Sequence, residues 1–225
     1  MTPSKAPPWS FSSLTAFETC PRRYYHLKVV KDTTDPPNEA TAWGKTVHKH
    51  MEDRVSHGAP LPTVISSYEK MAAMIADSPG EKLVEQQLAV DANLQPTEWM
   101  SPTAWCRGIV DVGVLTTKHV VLLDWKTGKR KPQSDQLKLF AGLAFSHYPS
   151  VSTAATGFVW LKEKRVDKAL FHRTNVSVIW LQFEPRVQRL ERAYNDNKFP
   201  PKPSGLCNKW CPVPHRKCEF SGKDR

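Results

Sequence analysis

The chain has 225 residues, 40% of them hydrophobic and eight of them Trp, enough for one large domain or a core with terminal additions. No apolar run approaches the roughly 20 residues that cross a bilayer, and residues 1–10 hold three Pro and no apolar stretch, so neither a membrane span nor a signal peptide is expected and the cytoplasm is the expected compartment. Lys and Arg number 32 against 22 Asp and Glu, a net charge of +10 that suits a polyanionic partner, nucleic acid above all.

In chain order, residues 10–27 read as a short helix capped by Ser12 or Ser13, with Pro21 breaking or restarting it. Residues 32–38, with two Pro, form a loop. A helix over 43–57 follows, because Val47, Met51 and Val55 recur at i, i+4 and i+8 and Gly58 with Pro60 stops it. A second helix covers 63–76. The period then changes: 83–89, 105–115 and 119–125 read as strands, the last two joined as a hairpin at 116–118. Residues 133–147 form a helix that is apolar nearly all round, which implies burial on more than one side. Two more strands cover 154–161 and 166–172. Pro185 can open a helix that runs to about Asn195, and the stretch FPPKPSG is a stiff linker into a Cys-rich tail. This order gives an α/β fold, a mixed central sheet flanked by helices. The expected organisation is an N-terminal helical segment (1–42), a core (43–175) and a C-terminal helix with its tail (176–225).

The stretch VVLLDWKTGKRK starts as a buried strand, then places Asp124 and Lys126 at its end, followed by more basic residues. Charge taken out of water costs several kcal/mol unless it is paired or bound to metal. If the hairpin forms, Asp111 approaches Asp124, and Lys126 shares Asp124's face of the strand. Two carboxylates and an ammonium are either a structural ion pair or a site. As a site they suit Mg²⁺ or Mn²⁺ and hydrolysis of a phosphodiester, with the metal activating water and the lysine stabilising developing charge. The basic clusters around Arg22 and Arg23, and at Lys129, Arg130 and Lys131, are candidate contacts to DNA phosphates.

Of the five Cys, Cys207, Cys211 and Cys218 fall within twelve residues, a grouping that in a cytosolic protein favours metal over disulfide. Cys106 reads as a small core residue. Spacing alone leaves Zn²⁺ and an iron–sulfur cluster both open.

Asp111 followed by Asp124-Trp125-Lys126 resembles the D…(D/E)-x-K core of the PD-(D/E)XK nucleases. Gly44-Lys45-Thr46-Val47-His48 is similar to the G-x-x-x-H motif of the RecB-like branch, and Gln136 to Phe140 to its Q-x-x-x-Y motif, with Phe140 in place of Tyr. The stretch SFSSLTAFETCPRRYYHL resembles the N-terminal segment of the iron–sulfur members, which include CRISPR-associated RecB-like and AddB-type nucleases, and phage exonucleases are further relatives. The resemblance implies a restriction-endonuclease-like core and gives each residue a role. Asp111, Asp124, His48 and the backbone carbonyl of Trp125 would bind the metal, with Glu85 a further candidate. Lys126 would be catalytic, and Gln136 would support the lysine or the scissile phosphate. Cys20, at the position of the first ligand, would join Cys207, Cys211 and Cys218 around a [4Fe–4S] cluster, with Zn²⁺ the alternative. The implied activity is a metal-dependent deoxyribonuclease, an exonuclease of phage or mobile-element recombination, acting in a host cytoplasm if phage-encoded. A recombinase, a single-strand-binding protein or a helicase are possible partners. The alternatives are an inactive nucleic-acid-binding protein on the same fold, and a nuclease serving a separate motor, since the chain has no P-loop of its own.

Overall fold

A computed structural model describes residues 6–130 and 135–224. The chain forms two units, Asn38–Leu181 and the paired ends Met1–Pro37 with Gln182–Arg225. Helix α1 (Phe11–Thr19) is capped by Ser10 rather than Ser12 or Ser13. The Ser10 amide donates to the Ser13 hydroxyl and the Ser13 amide to the Ser10 hydroxyl, so the two serines satisfy each other. Pro21 restarts the chain as α2 (Pro21–Tyr24), which runs into a π-turn at Tyr25–Val29.

Helix α3 (Glu39–His57) begins earlier than residue 43, because Asn38 accepts hydrogen bonds from the Ala40 and Thr41 amides. A 3₁₀ segment, Thr63–Tyr68, leads into α4 (Glu69–Ala76). Strands β1 (Glu81–Val90), β2 (Cys106–Leu115) and β3 (His119–Lys126) form an antiparallel meander. Helix α5 (Gln136–His147) crosses over to β4 (Thr153–Trp160), which lies parallel to β3, and β5 (Arg165–His172) closes the five-stranded mixed sheet in the order β1-β2-β3-β4-β5. The expected start of α5 at residue 133 falls outside the described residues.

Alternation along the strands assigns the faces. Val159 joins Val47, Met51 and Val55 of α3 and Ala72 and Ile75 of α4 in one cluster, while its neighbours Phe158 and Trp160 pack with Leu137 of α5. Helix α5 lies so close to the sheet that a Cβ at Gly108 would meet the Leu143 side chain at 2.6 Å. One side chain gathers carbonyls from the last turn of α5 and from the segment after it: Arg173 donates to Phe145, Tyr148 and Val151.

Helix α6 (Val176–Asn195) does not begin at Pro185; the proline lies inside it. The buried stripe Ile179, Trp180, Phe183, Val187 and Leu190 continues on both sides of the proline, and that periodicity outweighs the one backbone bond Pro185 cannot donate. In the paired ends, Tyr24 stacks with Phe199 at 6.4 Å, its hydroxyl lies 3.0 Å from that of Tyr194, and Arg186 grips Glu18 through two bonds of 2.7 Å.

Candidate functional site

The β1–β2 register sets Glu85 opposite Asp111, and continuing the β2–β3 register sets Asp124 opposite Asp111. Neither pair forms a ladder rung. Glu85 leaves the ladder at φ 46°, a left-handed backbone that costs a non-glycine residue roughly 1–2 kcal/mol. On the other side the Asp111 carboxylate takes the place of a backbone acceptor, receiving the Trp125 amide at 2.7 Å. The strand also changes phase here. Gly108 faces α5, whereas Val112 and Val114, an even number of residues on, pack in the cluster under α3. The phase changes after Asp111, which like Ile109 faces α3, where His48 Nδ1 lies 3.3 Å from Asp111 Oδ2. His48, Glu85 and Asp111 each offer a ligand atom, all within 4.8 Å of one another, and they line a cleft of about 740 Å³ together with Lys45, Ile109 and Thr127.

Asp124, 5% exposed, faces the α5 side of the same strand end. Its Oδ1 accepts from Gln136 Nε2 at 2.9 Å. Lys126 Nζ lies 2.6 Å from Oδ2 as an ion pair. The same ammonium sits 4.8 Å from the centre of the Phe158 ring.

The electrostatics follow from this crowding. Burial, then the charge of Asp124, push Asp111 up to about 8, against the pull of the Trp125 amide. Burial and the charges of Glu52 and Asp124 raise Glu85. Burial lowers His48, opposed by Asp124 and the Trp125 backbone. Each of the three groups is driven toward its neutral form, chiefly by burial, and for the two carboxylates also by the negative charge of their neighbours. The donor set of His48, Glu85 and Asp111, carboxylate oxygens and an imidazole, fits a hard divalent cation such as Mg²⁺ or Mn²⁺.

The other expected residues lie as follows. Trp125 puts its indole in the core under α3 and leaves its backbone beside Asp111 and His48. Phe140 is buried against the sheet beneath Gly108. His50 stands outside the ligand group. Lys129 is exposed, Arg130 is held by both carboxylate oxygens of Asp167, and Lys131 lies outside the described residues. Arg23 pairs with Asp35, and the Nε of Arg22 is buried. In the paired ends, burial raises the Cys211 thiol, Arg23 lowers it, and Cys20 and Cys207 raise it further, so these three sulfurs share one field. Cys218 is buried, and Cys106 is buried in the central unit, where burial pushes its thiol up. Lys45, Thr41 and Thr127 line the cleft without having been singled out from sequence. The signal was present for Lys45 alone: it stands three residues before His48 on a helix, hence on the same side.

A family model describing the PD-(D/E)XK nuclease superfamily matches residues 8–218. The chain belongs to the PD-(D/E)XK nuclease superfamily. Its mixed, helix-flanked sheet is the restriction-endonuclease-like core of that superfamily, whose members hydrolyse nucleic acid with divalent metals. No curated protein matches the chain. Among solved structures, a protein from Eubacterium rectale provisionally named an exonuclease aligns with TM-score 0.52 and 13% identity over 89% of this chain and 86% of its own. That likeness is one of fold. SSO0001 aligns with TM-score 0.41 and 10% identity, over 83% of this chain and 78% of that one. Among the described residues no helix is long and apolar enough to cross a membrane.

Proposed function

We propose that this nuclease is a Mg²⁺- or Mn²⁺-dependent deoxyribonuclease that acts from DNA ends. The observation that carries the reading is the convergence of His48, Glu85 and Asp111 within 4.8 Å, beside an Asp124 that holds Lys126 at 2.6 Å. His48, Asp111 and Asp124, with the Trp125 carbonyl and Glu85, would hold the cation. Once bound, it would supply a more acidic water and a positive charge for the phosphate oxygens. Lys126 stands ready to orient the attacking water and to stabilise negative charge on the phosphate, since the Asp124 contact fixes its ammonium at the strand end. Gln136 keeps Asp124 turned toward the lysine by donating to the other carboxylate oxygen. The exonuclease reading draws on the name given to the Eubacterium rectale protein and on the resemblance to phage exonucleases.

We assign Cys20, Cys207, Cys211 and Cys218 to one metal centre in the paired ends, a [4Fe–4S] cluster of the RecB-like branch, with Zn²⁺ as the rival occupant. The common field of Cys20, Cys207 and Cys211 supports this. Service in phage or mobile-element recombination beside a recombinase, a single-strand-binding protein or a helicase, in the host cytoplasm, completes the proposal. So does an order of parts with an N-terminal helical segment at 1–42, a nuclease core at 43–175 and a C-terminal helix and tail at 176–225. The deciding experiment incubates end-labelled linear, circular and single-stranded DNA with Mg²⁺ or Mn²⁺. Release of label from linear but not circular DNA supports the reading; no cleavage of any substrate with either metal defeats it.

A further inference from the structure

The cleft beside the ligand group continues along α3, away from the acids. Thr41, Gly44, Lys45 and His48 line it at spacings of three and four residues, so they form one stripe of the helix. Two lysines stand on this part of α3, and they differ. Lys49 is engaged by Glu52 at 2.9 Å and Asp53 at 3.0 Å. Lys45 is exposed and has no ion-pair or hydrogen-bond partner among the described residues. The amides at the start of the helix are not available to a ligand, because Asn38 already accepts from Ala40 and Thr41. Binding at this end of the cleft therefore falls to side chains. Gly44 keeps the space open: a Cβ there would stand 3.2 Å from the Thr127 hydroxyl oxygen, on the segment that follows Lys126.

A single unpaired cation next to hydroxyls, at the mouth of an acidic ligand group, calls for a ligand that is anionic and oxygen-rich. Three residues along a helix advance by about 4.5 Å. Successive phosphates of one strand advance by about 3.4 Å along a duplex axis and lie farther apart than that through space, a gap that the long Lys45 side chain can span. A chain of phosphates with one member at the ligand group therefore places its neighbour within reach of Lys45. We propose that Lys45, with the hydroxyls of Thr41 and Thr127, forms a phosphate subsite that takes the nucleic-acid phosphate adjacent to the one cleaved. This rests on the nuclease reading above. The phosphate comes either from a 5′-phosphorylated end or from an internal phosphodiester, and the same chemistry serves both.

The test is binding, not cleavage, so that it fails separately from the nuclease reading. Fluorescence anisotropy of a labelled oligonucleotide is followed on the cleavage-dead Asp124→Ala protein with Ca²⁺, from about 50 to 200 mM salt. The 5′ end carries phosphate or hydroxyl. Adding Lys45→Ala is expected to weaken binding about threefold to fivefold and to lower the salt slope by about one. Lys45→Arg should restore both, and Lys70→Ala, which removes an equal charge from the exposed side of α4, should change neither. A loss confined to the phosphorylated end identifies a terminal phosphate, and a loss on both ends an internal one. Unchanged affinity and slope on both ends, or an equal loss for Lys70→Ala, overturns the subsite. Gly44→Leu gives a second check, since a side chain filling the notch should cost as much binding as Lys45→Ala while leaving the melting temperature within a few degrees.

Discussion

The central unit carries 17 Lys and Arg against 14 Asp and Glu; the paired chain ends carry 15 against 8 in little more than half the length. The central unit nevertheless holds the only buried carboxylate among the described residues, Asp124, and beside it the nearly buried Asp111. The paired ends are organised around rings instead: Phe17, Tyr24, Tyr25, Tyr194 and Phe199 contact one another, Ser221 and one ring nitrogen of His26 are hydrogen-bonded, and the buried His26 Nε2 and Arg22 Nε have no hydrogen-bond partner among the described residues. A sheet can hold a strained, charged break where the surrounding structure over-determines it. Among the described residues the aromatic unit gathers no acids in this way, and its left-handed Lys31 and Asn197 lie outside any sheet. Substitutions in the central site should therefore damage chemistry more than stability, and substitutions in the paired ends should do the reverse.

The sharpest way to break this contrast is at the strand end. Asp124→Ala is expected to abolish metal-dependent cleavage, and Lys126→Ala to slow it by about 10²–10³. Asp124→Ala should melt within a few degrees of the parent, since it removes a charge that burial penalises, whereas Lys126→Ala leaves that carboxylate without its partner and should cost more stability. Cleavage at the parental rate by Lys126→Ala would remove the site from this strand end. In the paired ends, Cys20→Ala, Cys207→Ala, Cys211→Ala and Cys218→Ala should each cost solubility and metal content, because a structural metal centre can contribute on the order of 10 kcal/mol to folding. Cys106→Ala should keep both. Protein purified without oxygen should be brown and contain iron. One zinc and no colour would substitute Zn²⁺ for the cluster, and soluble, metal-free protein would dismiss the centre.

The central site was more legible than its surroundings, and the reasons are physical. Asp124 and Lys126 stand two residues apart in an apolar strand, so their common face follows from period two, and the hairpin turn brings Asp111 across. The shape of the site at Glu85 had no such signal, because Glu rarely adopts φ of 46° and nothing local to its sequence requires it. That conformation is imposed by the sheet around it. Pro185 misled for the opposite reason: its local rule, a helix start, was sound, but the apolar stripe before it decides where α6 begins. Arg173 was silent in sequence, since gathering the carbonyls of Phe145, Tyr148 and Val151 depends on a contact made only after β4 and β5 have paired.

The smallest expected effect isolates the conflict in the site itself. Asp111 ordinarily titrates near 3.8 and is pushed up to about 8 in the folded chain, chiefly by burial. Between these values the folded protein binds a proton that the unfolded chain releases, so folding is favoured at the lower end and stability falls as pH rises through about 8. Metal-free protein should therefore lose melting temperature from pH 5.5 to 8.5 in EDTA, by an amount that Asp111→Asn reduces. His48 does not mimic this slope: its value is lowered, so its contribution is lost on acidification, below its ordinary 6.5. Mg²⁺ or Mn²⁺ should raise the melting temperature more at pH 8 than at pH 6, because the cation competes with the Asp111 proton, and Asp111→Asn should lose most of that gain. Scanning calorimetry on both proteins, with and without the cation, measures all four numbers. Parallel pH slopes for the two proteins in EDTA would mean that Asp111 is not the group whose charge the folded site resists.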